Sequence, residues 1–194
     1  VKKGLKRVAL VGTPCQIKSL RRMQALNLIP SDSIAFCFGL FCSGNFTFGQ
    51  KERQKLAQMA GISWDRVARI NLKGSLIITM ENGKTHSVPL EKMETMKRYA
   101  CHFCDDYAAE FADISFGGIG ADQGWTTVIT RTPLGRAALA DSRSFNNLEQ
   151  YALQDNPEFA SQALAKVSTA SAEKKKAAAL KREHMAGRPV QVNI

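Results

Sequence analysis

A strand that passes directly into a helix near the start of the chain restricts the possible folds more than any other sequence feature. The apolar run at 7–12 predicts a short buried strand, and Thr13 and Pro14 supply a helix N-cap followed by proline at the first helical position. Ile17 and Leu20 then recur at helical spacing, so one face of this helix is expected to pack on a sheet. Parallel α/β folds are built from such units.

The middle of the chain predicts a change of sheet type. A second apolar run at 33–41 and an amphipathic helix at 48–61 continue the α/β pattern. Strand-like segments then follow between 67 and 90, and Asn82 with Gly83 between the last two is typical of a type I′ hairpin turn. We expect an antiparallel layer in this region.

The second half of the chain combines a further pair of strands with helices. Strands are predicted at 112–116 and 125–130 on either side of a glycine-rich turn, and the alanine-rich sequence from Pro133 onward favours helices. The predicted fold class is therefore α/β, with a mixed sheet, an antiparallel hairpin region and a helical C-terminal tail. We divide the chain into a main domain at 1–150 and a helical extension at 151–194.

The chain is strongly basic, with 27 Lys and Arg against 17 Asp and Glu and a formal net charge of +10. Such a charge suits a nucleic acid, an anionic cofactor or an acidic protein partner. No nucleic-acid-binding motif accompanies the basic segments, so we expect no nucleic acid partner. The lysine run at 174–176 is interpreted as a solvated helix surface, or alternatively as a docking site for an acidic partner subunit.

The sequence predicts neither a membrane span nor a secretory signal. No apolar stretch reaches the roughly 18 residues that a transmembrane helix needs. The chain starts at Val1 without an initiator methionine, and we expect this start to be internal to a longer protein. Five cysteines without a secretory signal favour the reducing cytoplasm, where thiols serve as metal ligands or catalysts and not as disulfides.

Four of the five cysteines are candidate metal ligands. Cys101 and Cys104 form a C-x-x-C pair, which can bind one metal atom or one cluster face but cannot complete a four-ligand site. Cys15 begins the first predicted helix, where the helix dipole stabilises a thiolate. Cys42 follows the end of a strand, whereas Cys37 lies within the buried run and is assigned to the core. The sequence thus predicts a site formed by Cys15, Cys42, Cys101 and Cys104.

The residues alone leave other interpretations open. Cysteine is among the most buried residue types, so Cys15 and Cys42 also suit a core, and a lone C-x-x-C pair also suits a dithiol redox site or half of a zinc knuckle. The same four thiols are compatible with a zinc-stabilised interaction or nucleic-acid-binding module. A nucleophilic role for Cys15 would require one of three histidines as its base: His86, His102 or His184.

Five separated blocks of the sequence resemble one known family. In chain order they are Val11-Gly12-Thr13-Pro14-Cys15-Gln16, Gly39-Leu40-Phe41-Cys42-Ser43-Gly44, Cys101-His102-Phe103-Cys104-Asp105-Asp106, Ala112-Asp113-Ile114-Ser115-Phe116-Gly117-Gly118 and Gly124-Trp125-Thr126-Thr127-Val128-Ile129-Thr130-Arg131-Thr132. Together they resemble the beta subunit family of the coenzyme F420 (deazaflavin) hydrogenases and dehydrogenases. The resemblance covers roughly residues 8–135, and no motif of that family covers the remainder up to 194.

The resemblance implies an oxidoreductase subunit that holds one FAD and one 4Fe-4S cluster, with coenzyme F420 as its substrate. Hydride would pass between the deazaflavin and the flavin, and the flavin would exchange single electrons with the cluster. The resemblance also puts Cys15, Cys42, Cys101 and Cys104 at the cluster positions, in agreement with the choice made from local context. It implies no role for Cys37.

The FAD contacts implied by the resemblance come from two parts of the chain. The glycine-rich turn and the strand after it offer backbone N–H groups and hydroxyls, and a segment near 71–74 adds an amide and a cation. The candidate flavin-binding residues are Asn71, Lys73, Gly117, Gly118, Gly120, Gly124, Trp125, Thr126 and Thr127. Without the resemblance, the turn would be interpreted as a hairpin loop and Lys73 as a solvated charge.

The resemblance further implies partner subunits. We expect the chain to serve the catalytic subunit of a formate dehydrogenase or a hydrogenase, with heterodisulfide reductase subunits as further partners. In this role the domain at 1–150 would bind both the cluster and the flavin. Family members carry a further segment ahead of the position that matches Val1, and this segment is expected to contribute to the cofactor pocket.

Overall fold

The computed structural model describes residues 6–72, 74–150 and 157–186. Short 3-10 helices connect several of the main elements, including one at Leu90–Met96. Within the described residues the helices and strands are, in chain order, β1 Val8–Gly12, α1 Pro14–Ala25, β2 Ile34–Leu40, α2 Gln50–Ala60, β3 Val67–Leu72, β4 Ser75–Met80, β5 Thr85–Pro89, β6 Ile114–Gly117, β7 Thr127–Thr130, α3 Pro133–Ser144 and α4 Pro157–Ala186.

The chain divides into two compact units, and in sequence one of them is inserted into the other. Unit one comprises the described residues of Val1–Ser43 and Phe103–Ile194, and unit two comprises those of Gly44–His102. The chain therefore leaves unit one after Ser43 and returns to it at Phe103. The boundary predicted at residue 150 separates a cofactor-binding domain from a helical extension, and this division stays a prediction.

Unit one is built on a mixed sheet whose described strands have the order β1-β2-β6-β7. The pairs β1–β2 and β2–β6 are parallel, whereas β7 runs antiparallel to β6. On one face, α1 packs Ile17 and Leu20 against Cys37, Ala109 and Ala112, and each of these residues is at most 8% exposed. The mixed α/β sheet and the core position of Cys37 are thus confirmed.

The opposite face of this sheet carries aromatic side chains. The ring centroids of Phe36 and Phe38 are 4.6 Å apart, and the ring of Phe116 is 6.2 Å from that of Phe38. Val11, the register partner of Phe38 in β1, is 59% exposed. Because parallel sheets are usually covered on both faces, this face is the less protected side of the sheet.

Unit two is an antiparallel sheet with the described strand order β3-β4-β5, accompanied by α2. Its core contains Leu56 from α2 together with Leu76, Ile78, Val88 and Met93, each at most 2% exposed. Alternate residues of β4 therefore face the core, as expected for a half-buried antiparallel strand. The predicted antiparallel layer is confirmed.

The turn between β4 and β5 differs from the predicted type I′ turn. Type I′ needs positive φ at both central residues, but only Gly83, with φ of 81°, is among the described residues with positive φ, and Asn82 is not. The N–H of Met80 donates to the carbonyl of Lys84 at 2.8 Å, so the loop consists of residues 81–83. Its last residue, Gly83, has a left-handed backbone conformation. Asn82 Oδ1 accepts from the N–H of Lys84 at 3.0 Å, a side-chain bond that favours this longer loop.

The described residues after Pro133 are largely helical, as predicted, and the parts of the predicted extension at 151–156 and 187–194 lie outside the described residues. Thr132 caps α3, since its Oγ1 accepts a hydrogen bond from the N–H of Gly135 at 3.1 Å. Helix α4 then extends from Pro157 to Ala186. Among the helices that the structure describes, none combines the length and apolar character that crossing a membrane requires.

Candidate functional site

Cys15 and Cys42 follow neighbouring parallel strands of unit one. β1 ends at Gly12, whose register partner in β2 is Gly39, so the two strands present their carboxyl ends at the same edge of the sheet. Cys15 lies in the first turn of α1, is exposed, and has its Sγ 3.3 Å from Oγ1 of Thr13. Cys42 is half-buried and lies just beyond the end of β2. This edge is where open α/β sheets usually bind ligands.

The segment that contains Cys104 is linked to the loop after β2. The backbone N–H of Cys42 donates to the carbonyl of Tyr107 at 2.9 Å. Cys104 is half-buried, and its Sγ donates to the carbonyl oxygen of Asp106 at 3.6 Å. These contacts hold Cys42 and Cys104 in adjoining loops of unit one.

An ion pair connects the same segment to the helix that carries Cys15. Lys18, one turn after Cys15, has its Nζ 2.9 Å from Oδ1 of Asp105, the residue that follows Cys104. Arg182 of α4 holds the other carboxylate oxygen, also at 2.9 Å. Hydrogen bonds from these two cations, with Lys18 the larger cause, lower the pKa of Asp105 to about 2. Unit one therefore links the segments that carry three of the predicted ligands, Cys15, Cys42 and Cys104.

Cys101 belongs to unit two. Its Sγ accepts a hydrogen bond from the N–H of Asn45 at 3.4 Å, and Nδ1 of His102 lies 3.2 Å from Oε1 of Glu94. Among the described residues, no group of three or more His, Cys, Asp and Glu side chains is arranged to hold a metal ion. The common site of four thiols stays a prediction.

Helix α4 contributes cations to the loops that carry Cys42 and Cys104. The Nζ of Lys174 donates to the carbonyl of Cys42 at 2.5 Å and to the carbonyl of Asp106 at 2.9 Å. Lys175 forms an ion pair with Glu110 at 2.6 Å. The interpretation of the lysine run as a solvated surface is therefore wrong for Lys174, because two backbone carbonyls of unit one bind its ammonium group.

Burial sets the ionisation of other groups near this edge. Asp106 is 3% exposed and burial raises its pKa, against the effect of the N–H of Glu110, which donates to both carboxylate oxygens. Burial also raises the pKa of Tyr107, with the charge of Cys42 as the second cause. The pKa of the Cys37 thiol is raised by burial as well, which makes it a poor thiolate and a poor ligand.

Two glycines of the predicted flavin-binding turn are required by packing within unit one. A Cβ added to Gly117 would lie 2.5 Å from the ring of Phe41, and one added to Gly120 would lie 2.8 Å from the backbone of α4. By contrast, a Cβ on Gly118 or Gly124 would meet nothing within 4 Å. Packing within the chain therefore explains why residues 117 and 120 are glycine. The space beside Gly118 and Gly124 is not filled by the chain.

The strand after the turn is linked to it by hydrogen bonds. Thr127 Oγ1 donates to the carbonyl of Ile119 at 2.7 Å, and the N–H of Trp125 donates to the carbonyl of Asp122 at 3.0 Å. Thr126 is exposed. The hydroxyl of Thr127 is thus already used within the turn, whereas Thr126 lies at the surface.

The other predicted flavin residues lie elsewhere in the chain. Asn71 is part of β3 in unit two, where its register partner is Ile77 of β4. Lys73 lies outside the described residues. The flavin contacts predicted for Asn71 and Lys73 stay predictions.

Sequence reasoning missed a buried carboxylate that joins several elements of unit one. Asp113 is 4% exposed, and its Oδ2 accepts from the N–H of Cys37 at 2.8 Å and from Nη2 of Arg21 at 2.9 Å. Its Oδ1 accepts from Oγ1 of Thr132 at 2.8 Å. An acidic residue next to a predicted buried strand is the signal that could have found it, since buried charges need partners.

A cleft of about 530 Å³ lies beside this carboxylate; its lining consists of Arg21, Glu110, Phe111, Ala112, Asp113, Arg131 and Thr132. Arg131 donates from Nε to Oγ of Ser115 at 3.0 Å and from Nη2 to the carbonyl of Ala108 at 2.9 Å, and burial lowers its pKa. Among the described residues that line this cleft, none is a predicted cluster ligand. Because acceptors of the chain itself bind both arginines, we interpret these residues as stabilising the fold and not as binding a ligand in the cleft.

Residues 5–156 match the protein family described as the C terminus of the coenzyme F420 hydrogenase/dehydrogenase beta subunit. The chain belongs to this family. The match confirms the resemblance carried by the five sequence blocks, and it extends beyond them at both ends. Helix α4, which provides Lys174 and Arg182, follows the matched residues of this beta-subunit family.

Other members of the family are longer than this chain. The coenzyme F420 hydrogenase subunit beta of Methanococcus voltae is 34% identical over 137 residues, which are 69% of this chain and 48% of that protein. The F420-dependent formate dehydrogenase subunit beta of Methanocaldococcus jannaschii is 29% identical over 142 residues, 71% of this chain and 37% of that protein. The chain spans about half, or less, of the length of the curated relatives it matches.

The fold is confirmed by a solved structure. A chain of the F420-reducing NiFe hydrogenase complex from Methanosarcina barkeri matches with a TM-score of 0.81 and 28% sequence identity. The match covers 94% of this chain and 62% of that chain. Because nearly all of this chain is covered, the likeness includes its mixed α/β architecture.

The chemistry of the donor set fits an iron-sulfur cluster. Thiolates are the usual ligands of such clusters, and the ligands of a four-iron cube bind different iron atoms and do not converge on one ion. Cys15 and Cys42 offer thiols near the carboxyl edge of a parallel sheet, and a hydrogen bond and an ion pair link the Cys104 segment to theirs. For a flavin, the open backbone surface at Gly118 and Gly124 is the part of the turn that fits.

Proposed function

We propose that this chain is the electron-transferring part of a coenzyme F420-linked oxidoreductase subunit, with FAD between coenzyme F420 and a 4Fe-4S cluster. Cys15, Cys42, Cys101 and Cys104 are the proposed cluster ligands. FAD, when bound, supplies the exchange between hydride chemistry and single-electron transfer. The proposed catalytic partner is a hydrogenase or a formate dehydrogenase, as the names of the relatives suggest. Heterodisulfide reductase subunits are proposed as further partners from the sequence resemblance alone.

The different burial of the cysteines is the observation that carries the proposal. Cys37 is fully buried in the core, whereas Cys15 is exposed and Cys42, Cys101 and Cys104 are half-buried. Core cysteines would all be expected to resemble Cys37. Cys15 and Cys42 stay accessible near the carboxyl edge of parallel strands, and polar contacts link the surrounding loops. Such thiols are better explained as ligands than as packing residues.

Anaerobic reconstitution of the full chain with iron and sulfide tests the cluster. We expect a brown protein with broad visible absorption and stoichiometric iron and sulfide, and the loss of both in single Cys→Ser variants at positions 15, 42, 101 and 104. Cys37→Ala is the matched control, because it removes a thiol of the core and should leave the cluster in place. A loaded Cys101→Ser variant would exclude that residue as a ligand.

The same experiment separates the redox proposal from the zinc alternative. A colourless chain that takes up one zinc ion through the same thiols would reject the cluster and support an interaction module. Metal analysis of the chain as isolated distinguishes the two, because zinc sites give no visible absorption.

The flavin proposal is tested at Gly118, where an added methyl group meets no atom of the chain within 4 Å. Gly118→Ala should therefore leave folding unchanged while weakening FAD binding, measured by equilibrium dialysis and flavin fluorescence. Gly83→Ala, in the hairpin of unit two, controls for the effect of lowered stability alone, because its positive φ disfavours alanine and it lies outside the proposed flavin segment. Equal FAD affinity in Gly118→Ala and the wild-type chain would contradict flavin contact at this turn.

The proposed division of labour follows the sequence. Residues 1–150 would bind the cluster and the flavin, with Asn71 and Lys73 as additional flavin contacts, and residues 151–194 would form a helical extension. A cytoplasmic location is proposed because the cysteines suit metal ligation and not a disulfide framework. Substitution of an exposed α4 residue in the full chain, such as Lys176→Gln, should leave both cofactors bound, which cofactor analysis measures.

A further inference from the structure

Lys174 of α4 binds the backbone of the loops that carry two proposed cluster ligands. Its Nζ donates to the carbonyl of Cys42 at 2.5 Å and to the carbonyl of Asp106 at 2.9 Å. We propose that the ammonium group of Lys174 raises the reduction potential of the cluster bound by these loops. This inference rests on the proposed function, and it assigns a role to a helix that lies after the residues matched by the family.

The ammonium group lies close to a proposed ligand sulfur. The carbonyl oxygen of Asp106 accepts from both Lys174 Nζ, at 2.9 Å, and Cys104 Sγ, at 3.6 Å. The distance between Lys174 Nζ and Cys104 Sγ therefore cannot exceed the sum of these two distances. Lys174 is half-buried, so water screens its charge less than it screens that of a fully exposed lysine.

Other contacts hold α4 in place independently of Lys174. Lys175 forms an ion pair with Glu110 at 2.6 Å, and Arg182 forms one with Asp105 at 2.9 Å. Near the start of the helix, its backbone packs closely against Gly120. Neutralising Lys174 should therefore remove a charge from the site without releasing the helix.

Simple electrostatics gives the direction and size of the effect. Reduction adds an electron to a cluster, and a nearby cation stabilises the more negative state, so net charge and hydrogen bonding set cluster potentials. A unit charge at this distance, partly screened, should change the equilibrium constant for one-electron reduction about tenfold. Tenfold corresponds to about 59 mV for a one-electron couple. The neutral variant should have the lower potential.

The test is a redox titration of the reconstituted full chain, followed by electron paramagnetic resonance of the reduced cluster. Lys174→Gln keeps an N–H donor for the carbonyls but removes the charge, and Lys174→Arg keeps the charge. Lys176→Gln removes an exposed charge from the same helix and is the matched control. We expect the lower potential in Lys174→Gln alone, with Lys174→Arg and Lys176→Gln near the wild-type value.

The outcomes separate this inference from the proposed function. A wild-type chain that takes up no iron-sulfur cluster rejects the proposed function. A loaded wild-type chain whose potential equals that of loaded Lys174→Gln rejects the role of the Lys174 charge alone. A shift of equal size in Lys174→Gln and Lys176→Gln also rejects it, because a general surface-charge effect would then explain the result. Loss of the cluster in Lys174→Gln, but not in Lys176→Gln, rejects the charge role in favour of a structural one.

Discussion

Replacement of Gly39 by alanine tests the packing that supports the candidate site. Gly39 lies in the central strand β2, and a Cβ added there would be 2.3 Å from Cβ of Ala109 and 2.8 Å from Cβ of Ala112. Neither methyl group can rotate away, because the backbone fixes the position of a Cβ atom. The segment at 108–112, which follows the Cys104 loop, would have to move.

The cost of this clash should lie near the upper end of the range for overpacked cores. Overpacking costs about 1–3 kcal/mol, and two rigid contacts inside the normal separation favour about 3 kcal/mol for Gly39→Ala. A domain stable by about 5–15 kcal/mol would lose a large part of its stability. Urea unfolding measures the loss, with Trp125 fluorescence reporting on unit one in a Trp64→Phe background that removes the tryptophan of unit two.

A compensating change makes the argument specific. Ala109 has a φ of 54°, a left-handed conformation that costs a residue with a Cβ about 1–2 kcal/mol. Ala109→Gly removes this strain and also the nearest clashing methyl group, so the double variant should recover at least about 1 kcal/mol of the loss. Gly118→Ala, with open space around its Cβ, is the control. Wild-type stability in Gly39→Ala, or no recovery in the double variant, would refute the packing argument.

Three further predictions concern the surroundings of the site. Asp105→Asn should lower the free energy of unfolding by about 1 kcal/mol, because both of its ion pairs are partly exposed, and chemical denaturation against the exposed Asp141→Asn control measures this. Cys37 should resist iodoacetamide in the metal-free folded chain and react only at higher pH or on unfolding, since burial raises its pKa; mass spectrometry showing Cys37 modified as fast as Cys15 would contradict this. Gly83→Ala should cost about 1 kcal/mol at its φ of 81°, measured by thermal unfolding of unit two, and an unchanged melting temperature would count against it.

Local signals in the sequence predicted the elements better than their arrangement. Thr13 and Pro14 predict the start of α1 correctly, because a cap and a proline act within one helical turn. Asn82 and Gly83 predict the hairpin but not its turn type, because both two-residue and three-residue loops use these residue types. The parallel pairing of β2 with β6 joins segments on either side of an inserted unit, and local patterns carry no information on such pairs.

The candidate site shows the same limit. The choice of Cys15 and Cys42 followed from helix and strand ends, which a sequence displays directly. Lys174 was misinterpreted because its partner Cys42 lies 132 residues away in the chain, and nothing in a run of three lysines indicates which one turns inward. Asp113 was missed for a similar reason, since its partners come from three separate elements.

The hydrogen bond between Cys42 and Tyr107 has a consequence for how the chain can be rebuilt. It joins the two stretches of unit one between which Gly44–His102 is inserted, so unit one itself links the loop from which the insertion leaves to the segment to which it returns. The entropy of closing a loop grows slowly with length, by about 0.6 kcal/mol for each doubling. A shorter or longer guest segment, or a grafted reporter domain, should therefore be accepted at this junction with little penalty to the host.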